Sequence, residues 1–186
     1  ALLRKGQRDQ AIEHYRKALE QRSDFADVHY NLANVLAQQA DLKGAIDQYE
    51  AALADHPFFA AAHNNLANVL WQEGRFTKAV DHYRQALQYR PNWWQVANNL
   101  AWIHATDSHP EIRNPSEAVR LAELAVQLTR KQEHAPLGTL AIAYAESGQQ
   151  DKAQKTAQEA IALAQSRGQG EWAAQLAARM NQYRRP

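Results

Sequence analysis

The chain contains no cysteine. Disulfides and thiolate metal sites are therefore excluded, and cysteine usage says nothing about redox compartment. Nor does any apolar run approach the ~20 residues that a membrane-spanning helix needs. Glycine (7) and proline (6) are scarce among 186 residues, which argues against long irregular loops. Neither sign of charge dominates, with 21 Lys+Arg against 20 Asp+Glu. That balance gives no electrostatic case for nucleic acid or an anionic membrane as partner. Catalytic motifs are missing as well: there is no Gly-rich phosphate loop, no G-x-S-x-G elbow and no Cys nucleophile. The expectation is a protein that is not an enzyme and carries no cofactor.

What the sequence does have is a period. Asn31-Leu32-Ala33-Asn34-Val35-Leu36 recurs unchanged at Asn65-Leu66-Ala67-Asn68-Val69-Leu70, an offset of 34 residues. A partial third copy, Asn99-Leu100-Ala101-Trp102-Ile103, follows after 34 more. A fixed period of this length signals stacked supersecondary units, each burying its apolar face on its neighbours. Within each unit, a first helix carries Leu32-Ala33 or Leu66-Ala67 and a turn falls at Ala40-Asp41 or Gly74-Arg75. A second helix carries Ala45-Ile46, Tyr49 and Ala52-Leu53, matched by Ala79-Val80, Tyr83 and Ala86-Leu87. Spacings of three and four put those residues on one stripe. Pro57 and Pro91 close the units.

These positions resemble the tetratricopeptide repeat (TPR) family, whose 34-residue pattern they follow over nearly the whole chain. Departures are small: His29 and His63 stand where the family usually has Trp, and Ala40 replaces the turn glycine. The resemblance implies an all-α fold, a right-handed superhelix (α-solenoid) of helix-turn-helix repeats. The expected units are 1–25 (a partial repeat, mainly its second helix, after a turn at Gly6), 26–59, 60–93, 94–133, 134–167 and a C-terminal cap, 168–186. The frame suggests that the chain begins inside a repeat of a longer array. The fourth unit carries an insertion near 107–113, after which Asn114-Pro115-Ser116-Glu117 reads as a helix start. Glu171–Tyr183 reads as a capping helix with Trp172, Leu176, Met180 and Tyr183 on one stripe.

In such superhelices the first helices line a concave groove. The resemblance places Tyr30, Asn31, Asn34, Asn64, Asn65, Asn68, Trp71, Gln72, Asn98, Asn99 and Trp102 there as candidate peptide-binding residues. The fifth unit contributes Gly138, Thr139, Ile142 and Glu146. A carboxamide offers an acceptor and two donors, matching an extended peptide backbone. The row resembles the asparagine ladder in the superhelix of O-linked N-acetylglucosamine transferase; structural use of the same Asn within the repeats is the competing reading. Five net hydrogen bonds of about 0.5–1.5 kcal/mol each fall short of the ~8 kcal/mol that micromolar binding requires. Apolar contacts must supplement the ladder, with Trp71 and Trp102 as the candidates.

The TPR class that clamps a C-terminal carboxylate with groove Lys and Arg is disfavoured, because the projected groove positions of the three central units contain neither. His104, Asp107, His109 and Glu111 gather at the insertion, but no HExxH-like motif marks a metal site. The function expected is a non-catalytic protein-interaction module that binds an extended peptide or protein segment. The alternatives are a substrate-recognition or regulatory segment of a larger enzyme such as a glycosyltransferase, or a scaffold that self-associates by end-to-end repeat stacking.

Overall fold

The structure, a computed structural model, describes residues 2–21 and 25–183. The end of the expected first unit, 22–24, and of the expected cap, 184–186, lie outside the described residues. The described chain is an all-α helical-repeat solenoid. It divides into two compact units, Ala1–Pro91 and Asn92–Pro186. The first holds α1 (Leu2–Gln21), α2 (Ala26–Gln38), α3 (Leu42–Asp55), α4 (Ala60–Gln72) and α5 (Phe76–Tyr89). The second holds α6 (Trp94–Thr106), α7 (Pro115–Leu128), α8 (His134–Glu146), α9 (Gln150–Ser166) and α10 (Gly170–Gln182).

In the first unit α2 pairs with α3, and α4 with α5. The alanines of the repeat are the reason they fit. Ala33, Ala45, Ala52, Ala67, Ala79 and Ala86 are all fully buried, so the backbones of paired helices approach closely. Leu32, Ile46 and Tyr49, with Leu66, Val80 and Tyr83, fill the remaining space and are nearly inaccessible. Burying each such large side chain contributes roughly 1.5–3 kcal/mol.

The turns repeat as faithfully as the helices. Asp41 N–H donates to Leu36 O (3.0 Å) and Arg75 N–H to Leu70 O (2.9 Å), closing the end of α2 and of α4 in the same way. The residue before each donor is left-handed: Ala40 has φ 62° and Gly74 has φ 74°. Asp41 then caps α3 by accepting from Gly44 N–H at 3.0 Å.

One element departs from the repeat frame. A turn is expected at Gly6, but α1 runs unbroken through it. Glycine costs only about 1 kcal/mol in a helix interior. That is too little to stop a helix flanked by Lys5, Gln7 and Arg8, all good helix formers.

In the second unit, α6 ends at Thr106 and α7 starts at Pro115, with Asn114 accepting from Glu117 N–H at 3.1 Å as its N-cap. The insertion between them is folded back rather than open. Ile112 is buried, its carbonyl accepts from His104 Nδ1–H at 2.7 Å, and Asn114 N–H donates to His104 O at 2.9 Å. Helix α8 is buried continuously from Pro136 to Ala145. Helix α10 packs on it, laying Trp172 on Gly138, and buries Ala173, Leu176 and Met180. The fifth-unit positions Gly138, Thr139 and Ile142 are therefore interior, not groove-lining as the sequence frame projects.

Candidate functional site

The candidate residues fall into the two units: Tyr30 to Gln72 in the first, and Asn98, Asn99 and Trp102 in the second. In the first, α2 and α4 bring Tyr30, Asn34, Asn64, Asn65 and Asn68 into a network with two tyrosines of the second helices. Tyr49 Oη–H donates to Asn34 Oδ1 at 2.6 Å, and Tyr83 Oη–H donates to Asn68 Oδ1 at 2.5 Å. Between the repeats, Asn65 Nδ2 donates to Asn34 Oδ1 (2.8 Å) and to Tyr30 Oη (3.1 Å). Asn64 Nδ2 donates to Asn65 Oδ1 at 2.9 Å.

Counting donors and acceptors separates these carboxamides. Both hydrogens of Asn65 Nδ2 are used inside the protein, so this residue joins α4 to α2. Asn34 Oδ1 accepts two bonds, while its Nδ2 donates none. Asn68 follows the same pattern, with its oxygen turned to Tyr83 and its Nδ2 unengaged. Asn34 and Asn68 are both half-buried. Burial pushes the Tyr49 and Tyr83 phenols up to about 12, so both remain protonated donors at neutral pH.

The remaining candidates differ in role. Asn31 and Gln72 are exposed. Tyr30 also packs its ring on Phe59, with centroids 4.8 Å apart. Trp71 is half-buried and packs on Phe76 at 4.7 Å. In the second unit Asn99 is exposed, whereas the Oδ1 of Asn98 is buried and has no hydrogen-bond partner. Trp102 is 39% exposed, and the Arg179 guanidinium lies 4.7 Å from its ring centroid. Nearby, Glu146 takes Tyr183 Oη–H at 2.5 Å and pairs with Arg113 of the insertion.

The histidines serve local packing. His29 Nδ1 meets Gln48 Oε1 at 2.8 Å, and the repeat-equivalent His63 Nδ1 meets His82 Nδ1 at 2.9 Å. At the insertion, Asp107 Oδ1 accepts from His109 N–H at 2.8 Å. Among the described residues no three His, Cys, Asp or Glu side chains gather into a metal-binding group. No helix there is long and apolar enough to cross a membrane.

Tyr49 and Tyr83 are the residues that sequence reasoning missed at this site. It read them as part of the buried stripe, which they are. The available signal was the recurrence of an Asn and a Tyr 15 residues apart, as Asn34–Tyr49 and Asn68–Tyr83.

The helix pairs, their common turns and the repeated Asn rungs define a helical-repeat protein with a side-chain-lined face on its first helices. The sequence matches the TPR repeat over residues 1–40, and the tetratricopeptide repeat over 39–97 and 66–132. The chain belongs to the tetratricopeptide repeat family, and with it to the protein-interaction modules that bind protein or peptide partners. No curated protein sequence gives a significant match. Among solved structures, a crystal structure of MamA is similar, with a TM-score of 0.76 at 18% identity, covering 88% of this chain and 92% of that one. YrrB, described as a TPR protein with an unusual peptide-binding site, gives a TM-score of 0.69 at 19% identity over 93% of both chains. PilF of Pseudomonas aeruginosa gives a TM-score of 0.68 at 23% identity, covering 98% of this chain and 86% of that one. At these identities the likeness extends to the fold.

Proposed function

We propose that the protein is a non-catalytic module that binds an extended peptide segment across the first helices of its repeats. The observation that carries this reading is the pair Asn34 and Asn68. They occupy equivalent rungs on α2 and α4, half-buried, each with an Nδ2 group that donates to no other group among the described residues. Neither Nδ2 is among the buried atoms without a partner, so both donors reach solvent, and an extended chain offers carbonyl oxygens at intervals to meet them. Exposed Asn31 and Gln72 flank that row, and Trp71 lends apolar surface beside it. The peptide-binding site named for YrrB, a protein of similar fold, agrees with this reading.

The test is selection of binders from a phage-displayed library of random short peptides, followed by hydrogen exchange with and without the selected peptide. Slowed exchange in α2 and α4 is the expected result. Protection confined to the second helices α3 and α5 would place the partner elsewhere and end the proposal.

A further inference from the structure

We propose that Tyr49 and Tyr83 are positioning residues that give the Asn34 and Asn68 rungs a fixed polarity, so that this face takes acceptor groups, the backbone carbonyl oxygens of an extended peptide, and not donors. The inference rests on the groove reading above and specifies its chemistry.

A free asparagine is ambidentate, because rotating its terminal torsion by half a turn exchanges oxygen and nitrogen. A row of free asparagines would therefore accept either edge of a peptide. Here the choice has been made internally. A phenol hydroxyl donates to each oxygen, at 2.6 Å to Asn34 and 2.5 Å to Asn68. Turning either carboxamide over would make the phenol oxygen the acceptor and take from its buried hydroxyl hydrogen the acceptor it has among the described residues. At Asn34 it would also oppose the Nδ2 of Asn65, which already donates to the same oxygen at 2.8 Å. The tyrosines can hold this arrangement because they are themselves immobile, Tyr49 2% exposed and Tyr83 4% exposed. Their burial keeps both phenols protonated well above neutral pH.

The nature of the acceptor follows from the charges around it. Tyr30, Asn31, Asn34, Ala37 and Gln38 on α2, and Ala61, Asn64, Asn65, Asn68, Trp71 and Gln72 on α4, include no Lys or Arg. A carboxylate would be desolvated there without a compensating cation, whereas a neutral backbone carbonyl needs none. Asn65 is excluded from the donor row, since both its hydrogens are spent on Tyr30 and Asn34.

The test uses isosteric substitutions and a peptide selected by display. In Asn34→Asp and Asn68→Asp the carboxylate can still accept from Tyr49, Tyr83 and Asn65, so the internal bonds remain while the two outward donors are removed. Each variant is expected to fold with a lowered thermal midpoint, because its half-buried carboxylate has no cation beside it, and to bind the peptide about tenfold more weakly or worse. Tyr83→Phe frees the Asn68 carboxamide to rotate and is expected to weaken binding by about threefold to tenfold. Its effect should vanish in the Asn68→Asp background, because a tyrosine acting through Asn68 has nothing left to orient. A merely structural tyrosine would weaken binding equally in both backgrounds, and that outcome overturns the inference. So do Asp variants that bind like wild type while the peptide still slows exchange in α2 and α4; the groove reading then stands without fixed polarity. Loss of that protection pattern in the wild-type protein removes both.

Discussion

Asn65 Nδ2 donates to Asn34 Oδ1 at 2.8 Å, joining the first helices of successive repeats through a side chain rather than through apolar contact alone. The same Nδ2 reaches Tyr30 Oη. Replacing Asn65 with Ala strips a half-buried oxygen of one donor and a phenol of another. A loss of about 1–3 kcal/mol in unfolding free energy is expected. Asn31→Ala, at an exposed position of the preceding repeat, should change stability by no more than about 0.5 kcal/mol. Urea unfolding of the two variants, with a double-mutant cycle between Asn65 and Asn34, measures the contrast.

Ala40 holds φ at 62° where the matching turns use Gly74 at 74° and Gly148 at 79°. A Cβ in the left-handed region is strained, so Ala40→Gly should stabilise the protein by roughly 1 kcal/mol. The expected readout is a higher denaturant midpoint with an unchanged slope. A fall in the midpoint would mean that glycine's extra freedom in the unfolded chain outweighs the strain relieved.

His63 and His82 set an acid limit. His63 Nε2–H donates to Pro57 O at 3.0 Å, which leaves its Nδ1 to accept from His82 Nδ1–H. His63 must then be neutral, while His82 donates and is held neutral by its burial. Burial lowers both pKa values, and that of His82 falls to about 4, helped by the neighbouring His63, Lys78 and Arg75 and opposed by Asp81. Since the folded state resists protonation, the unfolded chain binds more protons between its usual histidine range of about 6.5 and pH 4. Stability is therefore complete above that range and falls as the pH drops through it, by something on the order of 2 kcal/mol. His82→Gln, which copies the Gln48 that already pairs with His29, should flatten this part of the pH–stability curve.

Gly138 lies beneath Trp172. A Cβ at this position would stand 2.7 Å from Trp172 Cη2, so Gly138→Ala forces the indole and α10 to shift. A loss of about 1–3 kcal/mol is expected. Faster hydrogen exchange should be confined to α8 and α10 while α2–α5 keep their protection. Uniform acceleration across both units would contradict that localisation.

The turn chemistry, the alanine contacts and the pairing of α2 with α3 and α4 with α5 were all legible in the 34-residue period. They depend on neighbours close in sequence, and a repeat displays those directly. The start of α7 was legible for the same reason, being written into Asn114, Pro115 and Glu117. The misreadings were non-local or marginal. Gly6 lacks the left-handed turn that Gly74 makes, and a single glycine is a weak helix stop. The burial of Gly138 beneath Trp172 depends on α10, more than thirty residues further along the chain, and that of Thr139 and Ile142 on the packing of α8 among its neighbouring helices.

The asparagines divide along the same line. Sequence alone determined that Asn31, Asn34, Asn65, Asn68 and Asn99 recur at equivalent positions, because a period is a property of the string. Which face of each carboxamide remains available was decided only by tertiary structure. A hydrogen bond from Tyr49 to Asn34 spans 15 residues, and one from Asn65 to Asn34 spans 31. Oxygen and nitrogen are distinguished only when those partners arrive.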